Sequence, residues 1–83
     1  MTEKYKKEMQ RIAERIRKVR EFKKISQQDL ASQIGISQNA YSKIELGYSK
    51  ISLDRLFLIA KLLNVDTLEL LGSKRRSSNN LRT

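Results

Sequence analysis

Residues Gln27 to Leu46 read QQDLASQIGISQNAYSKIEL, and the reading of this stretch decides the fold. Ser26, just before it, is a good helix N-cap, and Asp29 stands three positions on, at capping-box spacing. Leu30, Ala31 and Ile34 fall on one side of the helix that follows. Gly35 ends that helix, because a left-handed stop costs glycine little. Ile36 can tuck into a core, and Ser37 caps a second helix. Two short helices around a tight turn cross steeply, and the small Ala31 and Gly35 permit the approach.

The second helix divides by face. Tyr41 and Ile44 point one way. Gln38 and Ser42, and likewise Asn39 and Lys43, are four residues apart and share the other side. Gly47 is the expected stop, followed by a short loop from Tyr48 to Ile51. The outward polar face has no evident task in holding the fold together.

Upstream, Tyr5, Met9, Ile12, Ile16 and Val19 recur at spacings of four and three, which predicts one amphipathic helix from near Lys4 to Phe22. Downstream, Ser52 caps a fourth helix, with Asp54 near its positive end. Its expected inner stripe is Leu53, Leu56, Phe57, Ala60 and Leu63, with Leu58, Ile59 and Leu62 as surplus. Asn64 breaks it, and Asp66 caps a last short helix holding Leu68, Leu70 and Leu71. After Gly72, SKRRSSNNLRT reads as a disordered basic C-terminal tail. The expectation is an all-α, compact five-helix domain over residues 1–72, with a helix extension over 1–11 and a tail over 73–83. No strand alternation and no repeat compete with it.

With 83 residues, the chain is one small domain with a modest core. Its net charge of +9 points to a polyanionic partner. The charge sits at the ends: +6 over residues 1–24, zero over 25–51, −1 over 52–72 and +4 over 73–83. Cysteine and histidine are both absent, which removes thiolate metal sites, disulfides and the usual general base. With the carboxylates scattered over caps and surface positions, neither an enzyme nor a metal or cofactor site is expected. No apolar run approaches the roughly 18 residues that span a bilayer, and the N-terminal stretch lacks the apolar core of a secretory signal.

The chain resembles the Cro/C1-type helix-turn-helix family. Leu30, Ala31, Ile34, Gly35, Ile36, Tyr41 and Ile44 match the spacing of its two-helix core. ERIRKVRE before, IELG at the close and SLDRLFLIAKLLNVDTLELLG after extend the similarity from Ile12 to Gly72. The resemblance implies a cytoplasmic, bacterial or phage-encoded regulator of transcription that binds double-stranded DNA as a homodimer. Two copies would grip a palindromic operator, with reading helices about 34 Å apart.

On this reading Gln38, Asn39 and Lys43 contact bases, since amides pair with adenine and lysine with guanine. Ser42 is a shorter fourth candidate. The resemblance sets Gln27 and Gln28 against the DNA backbone, and Ser37, Tyr48, Ser49 and Lys50 are further phosphate candidates. Tyr41 is expected to pack its ring in the core and turn its hydroxyl toward solvent or a phosphate. Matching positions in related domains form an ion pair, here Arg20 with Glu45. Leu58, Leu62 and Leu70 exceed the needs of a small core and are the dimer candidates. The cationic run Lys4, Lys6, Lys7 and Arg11 would attract DNA, or Tyr5 and Met9 would add a dimer contact; Lys74, Arg75 and Arg76 would form an arm along the duplex. The rivals are an antitoxin that binds a small protein partner and represses its own operon, and a membrane-surface helix at residues 4–23. The second fails if the same stripe is needed as core.

Overall fold

The computed structural model describes the backbone of residues 2–72 and the side chains of residues 6–72. The tail expected at 73–83, and the side chains of Lys4 and Tyr5, lie outside them. Five helices follow in order: α1 (Thr2–Phe22), α2 (Gln27–Ile34), α3 (Gln38–Glu45), α4 (Leu53–Leu63) and α5 (Thr67–Leu71). No strand occurs among the described residues.

The caps explain where the helices start. Ser26, Ser37 and Ser52 sit in extended conformation, and each Oγ accepts from the backbone N–H three residues on, at 3.0, 3.0 and 3.1 Å. Each satisfies one of the N–H groups a helix start leaves open. Asp66 holds the same place at α5, its carbonyl accepting from Glu69 at 3.0 Å.

The first four helices end alike. Lys24, Gly35, Gly47 and Asn64 take positive φ, at 59°, 93°, 80° and 60°. The next residue then sends its N–H five residues back: Ile25 to Arg20, Ile36 to Ala31, Tyr48 to Lys43 and Val65 to Ala60, at 3.0–3.1 Å. This Schellman stop normally carries an apolar residue that folds back on the helix. Ile25, Ile36 and Val65 do so and pack on the core. Tyr48 stays 76% exposed.

The core gathers Ile16 of α1, Leu30 and Ala31 of α2, Tyr41 and Ile44 of α3, Leu56, Ile59, Ala60 and Leu63 of α4, and Leu70 of α5. Every helix thus contributes, and the part of the α1 stripe from Ile12 to Val19 is spent on this packing. Ala13, passed over in the α1 stripe, is also buried, and Ile12 and Val19 flank the core.

Helix α4 is rotated from the expected orientation. Ile59 is buried, whereas Leu53 and Phe57 are 62% and 51% exposed. Eight of its eleven residues are not charged, so several stripes compete and periodicity alone does not choose. Packing against α2 and α5 selects the face of Leu56, Ile59, Ala60 and Leu63. Leu70, expected at a dimer surface, is fully enclosed and belongs to the core. Leu62 is half-buried against that core, and Leu58 remains exposed.

Candidate nucleic-acid interface

Helix α3 has a buried side and an open one. Tyr41, Ile44 and Glu45 are buried. Gln38, Asn39, Ala40 and Lys43 are exposed and Ser42 is half-buried. The four residues expected to read bases are therefore brought to one accessible surface. Ala40 was missed, because a small apolar residue gives no polar signal; its methyl can meet a thymine methyl. Gln28, Ser37, Tyr48 and Lys50 are exposed around this surface, with Gln27 and Ser49 half-buried.

A buried ion pair fixes α3. Arg20 of α1 donates from Nε to Glu45 Oε2 at 2.6 Å and from Nη2 to Oε1 at 3.2 Å. It also donates from Nη1 to the Ile25 carbonyl at 2.8 Å, tying in the α1–α2 corner. The side chains are 10% and 1% exposed. The Tyr41 hydroxyl and Gln27 Nε2, the latter at 3.0 Å, also donate to Glu45. Burial works against the ionised Glu45 carboxylate, but hydrogen bonds from Arg20, Tyr41 and Gln27 outweigh it and hold its pKa below the usual value. The hydrogen bond to Glu45 raises the Arg20 pKa, so the pair stays charged. Burial, then the bond to Glu45, pushes the Tyr41 phenol well up.

This geometry corrects the expectation for Tyr41. Its side chain is fully enclosed and its hydroxyl is turned inward onto Glu45. A phosphate cannot reach it. The inward turn satisfies a polar group that would otherwise be buried without a partner.

The ion pair continues to the surface. Gln27 accepts at Oε1 from Gln38 Nε2 at 3.4 Å while donating to Glu45. Gln38 thus has one amide proton directed at Gln27. Its second proton and its Oε1 remain for the N7 and N6 positions of an adenine. Gln27, expected only at the DNA backbone, also orients its neighbour. Sequence spacing does not reveal this link, because it depends on how α2 crosses α3.

The helix-turn-helix family model matches residues 16–70, well over half of the chain. The chain belongs to the helix-turn-helix family of Cro/C1 type. Neither the curated proteins nor the solved structures offer a significant match. As a helix-turn-helix protein of this type it is a DNA-binding regulator of transcription, with α2 and α3 as the motif. Among the described residues, no helix is long and apolar enough to cross a membrane.

Proposed function

We propose that this regulator recognises a specific, palindromic operator as a homodimer, with α3 of each copy in the major groove. Gln38, Asn39 and Lys43 contact base edges, with Ser42 and Ala40 close by. Gln27, Gln28, Ser37, Tyr48, Ser49 and Lys50 contact phosphates and set the register. The observation that carries this reading is the exposed polar face of α3 with an internal brace behind it. A side chain whose rotamer is already held loses less entropy on binding than a free one.

Self-association is supported by apolar side chains left at the surface. Leu53 and Phe57, four apart on α4, are exposed, as are Leu58 of α4 and Leu68 and Leu71 of α5. Such residues grouped on adjoining helices mark an interaction surface.

Selection of bound duplexes from a random pool tests the proposal. It should return one motif with a two-fold repeat. Gln38→Ala should then relax the preference at one position by about 1–3 kcal/mol, while Lys50→Ala weakens all duplexes alike. Equal losses on enriched and random DNA for both variants would refute the division between base and phosphate contacts.

A further inference from the structure

The family match begins at residue 16, so the first fourteen residues of α1 stand outside it. This extension runs along the corner between α3 and α4. A Cβ added to Gly47 would stand 3.0 Å from Gln10 Cγ and 3.7 Å from Gln10 Cα. Between the two segments lies a groove of about 290 Å³, lined by Lys6, Met9 and Gln10 on one wall and residues 47–50 on the other. The lining holds two cations, Lys6 and Lys50, the polar groups of Gln10, Tyr48 and Ser49, and no acid. The nearby Glu8 is directed to Arg11 at 3.2 Å, and neither residue lines the groove. Two ammonium groups on one groove repel each other, and a bound anion reverses that cost.

The groove also adjoins the C-terminal end of α3. Its loop wall is tied to α3 by the bond from Tyr48 N–H to the Lys43 carbonyl, at 3.0 Å. The exposed Tyr48 side chain lies on the same wall. We propose that this groove seats a phosphate of the duplex held by α3, with Lys6 and Lys50 on its two walls. The extension is then a DNA-contacting element added to the family domain. The inference rests on the operator reading above.

The test compares salt dependence of binding for the full chain, Lys6→Gln and Lys18→Gln. Lys18 lies on the same helix, outside the groove, with its side chain 67% exposed. The probes are the duplex enriched from the random pool and a random-sequence duplex. Lys6→Gln should make the slope of log affinity against log salt shallower by about 1.8 for a bound dimer, about 0.9 for the phosphate lost at each copy, equally on both duplexes. Lys18→Gln should leave the slope unchanged. Unchanged slope for Lys6→Gln overturns the inference, and so does an equal drop for Lys18→Gln, which would mean net charge alone. A shift of Lys6→Gln toward monomer in sedimentation equilibrium also overturns it, because the groove would then hold a protein. A full chain that binds neither duplex would sink the operator reading as well, whereas wild-type binding with an unchanged Lys6→Gln slope sinks this inference alone.

Discussion

Replacing Glu45 by glutamine changes a charge and almost no volume, so its effect isolates the ion pair at the centre of this fold. Glu45 accepts from Arg20 at 2.6 and 3.2 Å, from Gln27 at 3.0 Å and from the Tyr41 hydroxyl. A glutamine offers one oxygen and an NH2 group, so donors from Arg20 or Tyr41 would face another donor. Each charge-assisted hydrogen bond contributes about 1.5–3 kcal/mol net, and at least two are lost. The expected destabilisation is about 3–5 kcal/mol, the range for breaking a buried pair from one side. A domain of this size has a total stability on the order of 5–10 kcal/mol, so the variant should unfold at low urea. Urea titration followed by far-UV circular dichroism reads the loss as a drop in midpoint at constant slope. The triple variant Arg20→Met, Tyr41→Phe, Glu45→Leu removes every buried partner together and should recover most of the loss. A cost below about 1 kcal/mol for Glu45→Gln would refute the reasoning, because it is the value of a solvent-screened surface pair.

Further outcomes follow from the same geometry. Glu45 titrates below its usual value of 4.5 in the folded chain, so its stabilisation is complete above about that pH and is lost as pH falls through the lower folded value. Urea titrations down the acid range should show this loss in the wild type and not in Glu45→Gln. Gly35→Ala should cost about 1–2 kcal/mol in urea although no atom lies within 4 Å of the new Cβ, because φ is +93°. Lys24→Gly should stabilise by about 0.5–1 kcal/mol, since lysine holds φ +59° there at a cost glycine avoids. Leu70→Ala should cost about 2–5 kcal/mol as a cavity in the core, whereas Phe57→Ser should change the sedimentation profile and leave the urea midpoint of the isolated chain nearly unmoved.

The turn between α2 and α3 was legible because its determinants are local. A serine cap, a glycine stop and an apolar residue after it act within a few positions of one another. The outward face of α3 was legible for the same reason. The burial of α4 was not, because Leu53, Phe57, Leu58 and Ile59 are all apolar and only a neighbouring helix distinguishes them. Tyr41 carried two tendencies, an apolar ring and a polar tip, and the direction of the tip depended on Glu45 four residues away being itself buried by Arg20. The Gln27–Gln38 link needed the crossing of α2 and α3, which spacing does not state. The groove beside Gly47 needed the distance between residues nearly forty positions apart.

Three bends of the chain are pinned by an inward aliphatic anchor at Ile25, Ile36 and Val65, and the bend at Tyr48 has none. Helix α3 is therefore held from behind, while the bend that leaves it turns its side chain outward. On the proposed reading, that side chain can be exchanged to suit a different duplex backbone without disturbing the core that holds the base-reading face.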